Sequence, residues 1–199
     1  MSYSDIVPLH NEAAHVAAAV REFLDRLDAP TREALMEVIL VENGSRDQTL
    51  EVIRAMAVHD PRIKALTIPR GSYGEAIRAG MLAASGAWLS ILEVDCLDAQ
   101  FAAASLEALK RGASRFIVAS KRARGSVDAR PVHRRIITVG FNTLLRRVIG
   151  YDGTDTHGLK SLETALAREL CELAVTTDEA FQTEIVLIAA RREIGRAHV

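Results

Sequence analysis

Apolar and polar positions alternate in blocks along this chain: short apolar runs are separated by stretches in which apolar residues recur every three or four positions. The runs predict strands at 4–9, 37–42, 63–68, 87–95 and 115–120. The intervening stretches predict helices. The first opens at Asn11 as its cap and carries Val16, Val20, Phe23, Leu24 and Leu27 on one face. The second, 47–58, turns Leu50, Ile53 and Ala57 inward. The third groups Ala76, Ile77, Gly80, Met81 and Ala84 and is closed by Gly86, and a fourth spans 99–111. Beyond residue 120 the pattern turns helical, at 134–149, 163–173 and 179–192. Strands alternating with amphipathic helices imply an α/β fold, a mostly parallel sheet with helices on both faces.

The first four strands end in residues that a core strand would not choose. These are Pro8-Leu9-His10-Asn11-Glu12, Glu42-Asn43-Gly44-Ser45, Pro69-Arg70-Gly71 and Glu93-Val94-Asp95. Strands of a parallel sheet all point the same way, so these ends converge on one edge, the usual ligand crevice of an open α/β sheet. Taken singly, Asn-Gly-Ser is a common turn and Asn11 a helix cap. The fourth end carries the most chemistry: two carboxylates spaced by one residue, where a divalent cation bound to a nucleotide would sit.

Length and charge narrow the field. A chain of 199 residues is read as a single domain, 1–199, long enough to bury roughly 70% of its unfolded surface. Cys96 and Cys171 form no CxxC pair, and the histidines show no metal spacing. With no apolar window near the ~20 residues that span a bilayer, the expected location is cytoplasmic. A net charge of −1 argues against nucleic acid as a partner, yet charge is segregated. Lys121, Arg122, Arg124, Arg130, Arg134, Arg135, Arg146 and Arg147 face the single acid Asp128 in their stretch, and they suit an anionic lipid surface or a phosphate.

At these same positions the chain resembles a family. Ile6-Val7-Pro8-Leu9-His10-Asn11-Glu12 and Val38-Ile39-Leu40-Val41-Glu42-Asn43-Gly44-Ser45-Arg46-Asp47-Gln48-Thr49 are similar to the VIPxYNE and VVDDGSxDxT motifs that open family 2 glycosyltransferases. Arg70-Gly71-Ser72-Tyr73-Gly74-Glu75-Ala76 with Gly80 resembles that family's third segment, and Glu93-Val94-Asp95 stands in place of its DxD. Ser120-Lys121-Arg122, Arg134-Arg135 and Asp155-Thr156-His157-Gly158-Leu159-Lys160 are similar to the dolichyl- or polyprenyl-phosphate sugar synthase branch.

The resemblance implies a glycosyltransferase A type, Rossmann-like fold and an inverting transfer of a hexose from a nucleoside diphosphate sugar, GDP-mannose or UDP-glucose in type, to a polyprenyl phosphate. In that reading Pro8, Asn11, Glu12, Glu42, Asn43, Arg70, Gly74 and Val94 line the nucleotide pocket, and Glu93 and Asp95 hold Mg²⁺ or Mn²⁺. Asp95, Lys121, Arg134, Arg135 and Asp155 form the catalytic set, with the acceptor side at about 121–160. A lipid phosphate is already anionic and needs cations to position it, whereas a hydroxyl acceptor needs a base. Asp155 therefore reads either as a base for a hydroxyl acceptor or as an anchor of the turn at Gly158. Membrane contact, directly or through a partner protein, would place the enzyme at the inner face of the membrane.

Departures from the family pattern are concentrated in its acids. Glu42-Asn43 stands where two aspartates are usual, and Glu93 where one is. Lys121 exchanges a bidentate guanidinium for a point charge, and Leu97 takes a position where the branch often has Gln, which leaves Asp98 as a substitute ligand. A catalytically inactive sugar-nucleotide binder is the alternative reading. A nucleotidyltransferase is disfavoured, because no Gly-rich loop with a basic residue follows the first strand.

Overall fold

From Glu37 to Asn43 every residue of the second strand is buried, as a strand covered by helices on both faces must be. The computed structural model describes residues 2–112, 114–119, 158–192 and 196–198. The expected helix at 134–149 and the expected residues Lys121, Arg134, Arg135 and Asp155 lie outside them. In chain order the elements are β1 (Tyr3–Leu9), α1 (Val16–Arg26), α2 (Ala29–Ala34), β2 (Leu35–Asn43), α3 (Thr49–His59), β3 (Ile63–Ile68) and α4 (Tyr73–Ala83). There follow β4 (Trp88–Ile91), α5 (Ala99–Lys110), β5 (Phe116–Val118), β6 (Lys160–Glu163), α6 (Thr164–Leu173), α7 (Ala180–Arg191) and β7 (Arg196–His198).

The strands form one sheet in the order β3-β2-β1-β4-β6-β5-β7. Among the described strands only β6 runs against its neighbours, so the sheet is mostly parallel as expected. Alternate side chains enter opposite layers. Ile6, Ile39, Val41 and Leu89 pack with Ile77 and Met81 of α4, Leu166 of α6 and Phe181 of α7. Val7, Val38, Leu40 and Leu92 pack with Val20 and Phe23 of α1, Ile53 of α3 and Phe101 of α5. The chain winds from β1 out to β3, then crosses back to place β4 on the other side of β1. That reversal is where such sheets open a crevice.

Several local expectations change. Asn11 does not cap α1, which begins at Val16 without a side-chain cap; Asn11 takes a left-handed turn at φ 58° instead. Gly86 does not end α4, which stops at Ala83. A Cβ at Gly86 would lie 2.6 Å from the Tyr3 carbonyl carbon, so its smallness lets β1 pass. Strand β4 spans Trp88–Ile91, not 87–95, and the chain then turns, with the Cys96 N–H donating to the Glu93 carbonyl at 2.9 Å. Asp98 caps α5: its Oδ1 accepts from the N–H groups of Gln100 and Phe101 at 2.8 and 3.0 Å.

Neither α2 nor β6 was expected. Asp28 caps α2 by accepting from the Thr31 N–H at 2.9 Å, with proline in the first turn. Strand β6 pairs antiparallel between β4 and β5. Among the described residues no helix is long and apolar enough to cross a membrane.

Candidate active site

Loops after β1, β2 and β3 are tied together by the side chains that looked out of place in the strands. The His10 ring Nδ1 lies 2.8 Å from the Asn43 carbonyl. The Asn11 N–H donates to Ser45 Oγ at 3.0 Å, and Asn11 Oδ1 accepts from the Arg46 N–H at 2.8 Å. The Glu12 N–H donates to Thr49 Oγ1 at 2.8 Å, so the first loop is stitched to the start of α3. Asn43 Oδ1 accepts from the Ser72 N–H and joins the second loop to the third. Gly44 sits at φ 64°, and a Cβ there would lie 2.7 Å from the Gly71 nitrogen. Glycine is required by both conformation and space.

Glu42 is buried at the end of β2. Its carboxylate accepts from Thr67 Oγ1 at 2.6 Å and from the Ser45 N–H. Burial pushes this acid up, but the Thr67 and Ser45 hydrogen bonds and the nearby His10 outweigh it and hold the group below the usual carboxylate range. Glu42 is therefore a fixed anion under the crevice floor. Pro8 is buried one position from the end of β1, in register with Val41.

Two hollows open along this edge. One, of about 520 Å³, is lined by His10, Asn43, Gly71, Ser72, Tyr73, Asp178 and Glu179. The other, of about 650 Å³, lies between α1 and the turn after β4, and its lining includes Phe23, Arg26, Val94, Asp95, Leu97 and Asp98. A third, more apolar hollow between α1 and α3 reaches Ile63 at the beginning of β3, away from the strand ends that carry the candidate chemistry. Of the nucleotide candidates, Asn43 and Val94 line the first and second hollows respectively. Arg70 is exposed beside Gly71, and Gly74 is buried under another segment: a Cβ there would lie 2.4 Å from the Asp178 carbonyl oxygen.

That covering segment, residues 174–179, gave no signal in the sequence. The Glu75 N–H donates to the Thr177 carbonyl at 3.0 Å, and Ser72 Oγ donates to the same oxygen. Arg78 of α4 donates to the carbonyls of Cys171, Ala174 and Thr176, and its guanidinium stacks 4.9 Å from the Phe181 ring centroid. Glu184 of α7 accepts from the N–H groups of Val175 and Thr176 at 3.0 and 2.8 Å. The segment is thus a strap between α4 and α7, and its Asp178 and Glu179 form one wall of the first hollow.

The carboxylates after β4 diverge. Asp95 is exposed and lines the hollow beside α1. Glu93 is half-buried and accepts from the Tyr73 hydroxyl, with Gln182 Nε2 at 3.5 Å. Burial and the Glu93 charge push the Tyr73 phenol far above its ordinary value, so it stays protonated and donates. Among the described residues no three His, Cys, Asp or Glu side chains cluster as a metal cage. A cation carried by a nucleoside diphosphate needs no such cage, because Mg²⁺ is usually held by one or two carboxylates together with substrate phosphates and water. Asp95, exposed at the rim with Glu93 two residues before it, fits that donor set.

A family model described as glycosyl transferase family 2 matches residues 4–164. The chain is 28% identical over 210 residues to a dolichyl-phosphate beta-glucosyltransferase of Trichomonas vaginalis, covering 98% of this chain and 61% of that protein. It is 29% identical over 215 residues to a dolichyl-phosphate beta-glucosyltransferase of Drosophila melanogaster, covering 100% and 66%. The chain therefore spans about three-fifths to two-thirds of the length of these relatives. Among solved structures, glucosyl-3-phosphoglycerate synthase from Mycobacterium tuberculosis in complex with Mn²⁺, uridine diphosphate and glucosyl-3-phosphoglycerate superposes with a TM-score of 0.68. It shares 18% identity, with 100% of this chain and 69% of that one covered, and the likeness is one of fold.

Proposed function

Because this chain belongs to glycosyltransferase family 2 and has the glycosyltransferase A type fold, we propose that it moves a hexose from a nucleoside diphosphate sugar to a polyprenyl phosphate. The observation that carries this reading is the convergence of four strand-end loops, with their carboxylates, on the edge where β1 meets β4. The names of the relatives favour glucose, and hence a UDP-glucose type of donor over GDP-mannose.

The chemistry follows from charge. Breaking the bond between the anomeric carbon and the diphosphate places negative charge on phosphate oxygens, and the site must stabilise that charge more than it stabilises the bound donor. Asp95, with Glu93, would hold Mg²⁺ or Mn²⁺, which when bound neutralises the diphosphate. The fixed anion Glu42 and the braced loops of His10, Asn11, Glu12 and Asn43 would shape the nucleoside side, with Pro8 beneath them and Arg70 and Val94 at its margins. Gly74 would contribute by letting the strap approach. Orientation is the main service such a rigid floor provides.

On the acceptor side, Lys121, Arg134 and Arg135 would bind the lipid phosphate, an anion that attacks the anomeric carbon with inversion and needs no base. Asp155 would then anchor its turn. The wider basic segment suits an anionic membrane surface, where such an acceptor resides.

The test is a panel of nucleotide sugars offered with a short-chain polyprenyl phosphate and Mn²⁺ to the full chain. Transfer from UDP-glucose above the other donors is expected. Transfer only to hydroxyl acceptors, abolished by Asp155→Asn, would overturn the acceptor assignment. Tight binding of a sugar nucleotide with no transfer to any acceptor would make the protein a binder.

A further inference from the structure

Behind Glu93 lies a chain of three side chains drawn from three separate parts of the fold. Lys160, at the start of β6, is fully buried, and its ammonium donates to the Gly158 carbonyl at 2.8 Å and to Gln182 Oε1. Gln182, on α7, is 2% exposed and donates through Nε2 to the Tyr73 hydroxyl at 2.6 Å. Tyr73, the first residue of α4, donates to Glu93 Oε1.

Elementary chemistry fixes the direction of this chain. An ammonium has only donors, so the oxygen of the Gln182 amide faces Lys160 and its NH₂ group faces Tyr73. The phenol oxygen accepts that bond, and its single proton is left for the carboxylate. From Lys160 through Gln182 and Tyr73, each of these three bonds therefore points toward Glu93, an arrangement in which neighbouring hydrogen bonds polarise and strengthen one another. Burying an ammonium and an amide so completely is costly unless their bonds are made, so the arrangement is over-determined rather than incidental.

Glutamate has one more rotatable bond than aspartate, and a carboxylate that must meet a cation at a defined point loses more side-chain freedom if it is glutamate. Both described bonds to Glu93 fall on Oε1, which leaves Oε2 outside the chain.

We propose that Tyr73, Gln182 and Lys160 are positioning residues that hold the Glu93 carboxylate in one orientation at the cation corner, while Asp95 stands free of them. The inference rests on the reading of Glu93 and Asp95 as that corner. It adds that the corner's geometry is set from α7 and β6, by residues that touch neither cation nor nucleotide.

The experiment measures Mn²⁺ affinity in the presence of saturating UDP, by the loss of the free-ion electron paramagnetic resonance signal, in the full chain and in variants. Tyr73→Phe and Gln182→Glu should each weaken Mn²⁺ binding roughly tenfold, about 1.4 kcal/mol. In Gln182→Glu the new carboxylate pairs with Lys160 and keeps the fold, but it no longer donates to Tyr73. Lys160→Met should weaken binding with Lys160→Arg restoring part of it, and melting temperatures identify any variant that fails to fold. In a Glu93→Gln background, Tyr73→Phe should have no further effect, because its action runs through Glu93. If the parent protein binds Mn²⁺ with UDP but Tyr73→Phe and Gln182→Glu bind as tightly, or if their effects add fully to that of Glu93→Gln, the positioning role is wrong and the cation site stands. A parent protein that binds no Mn²⁺ with UDP overturns both.

Discussion

Two carboxylates buried in neighbouring strands meet opposite environments. Glu37 of β2 accepts from Ser4 Oγ at 2.7 Å and the Ser85 N–H at 2.6 Å, and it pairs with Lys64. Burial pushes it up, but these partners outweigh burial and keep it below its ordinary value. Asp5 of β1 is fully buried, and neither of its oxygens has a hydrogen-bond partner among the described residues. Burial pushes it up to about 8, with only the nearby Ser90 hydroxyl pulling the other way. Between about pH 4, where the unfolded chain loses this proton, and about pH 8, the folded chain keeps it. The native state then binds more protons than the unfolded state, so stability falls as pH rises through that window. Asp5→Asn should flatten the dependence and raise the melting temperature at pH 8 by roughly 5 °C, while changing little at pH 4. Thermal unfolding at the two pH values checks this, and an equal shift at both would contradict it. At this scale the sequence disclosed which residues matter at the strand ends more readily than what they do. Asn11 and Asn43 are visible as misfits in apolar runs, but their work is to bind loop to loop, and those partners lie about 30 positions away.

Among the elements, β1, β2 and β4 were legible because burial on both faces leaves a largely apolar run, the edge strand β3 because apolar residues recur at Ile63, Ala65, Leu66 and Ile68, and α1, α3, α4 and α5 because one face is apolar. Strand β6 was not, since Lys160-Ser161-Leu162-Glu163 has no apolar run and is a strand only because β4 and β5 flank it. The strap at 174–179 was equally hidden. It has no regular structure of its own, and it is held by Arg78 and Glu184, whose partners no local pattern announces. Glu184 gathers three hydrogen bonds from Val175 and Thr176, the third from Thr176 Oγ1 at 2.5 Å. Glu184→Ala should cost about 1–3 kcal/mol and speed proteolytic cleavage within the strap. Denaturant unfolding and limited proteolysis would show it; unchanged values for both would mean that Arg78 and Ser72 suffice to hold the wall of the crevice.

For the whole molecule, topology turns scattered residues into one site. The winding of the chain reverses between β1 and β4, which run parallel, so the loops after β1 and β2 lie at the same sheet edge as the carboxylates after β4, and α7 and β6 supply the side chains behind Glu93. The family pattern in the sequence located the edge of the sheet. It did not show that Glu93 turns inward to Tyr73 while Asp95 stays at the rim, because that depends on a strand stopping at Ile91 and on partners far along the chain. The proposed activity requires this rim to be a metal-assisted sugar-transfer site with Asp95 at its centre. The most direct measurement is transfer of labelled glucose from UDP-glucose to a polyprenyl phosphate in Mn²⁺, for the parent chain and for Asp95→Ala. Label is expected in the lipid fraction, with a loss of about 100-fold or more in the variant and a similar loss on chelation. Transfer that survives both the substitution and the chelator would contradict it.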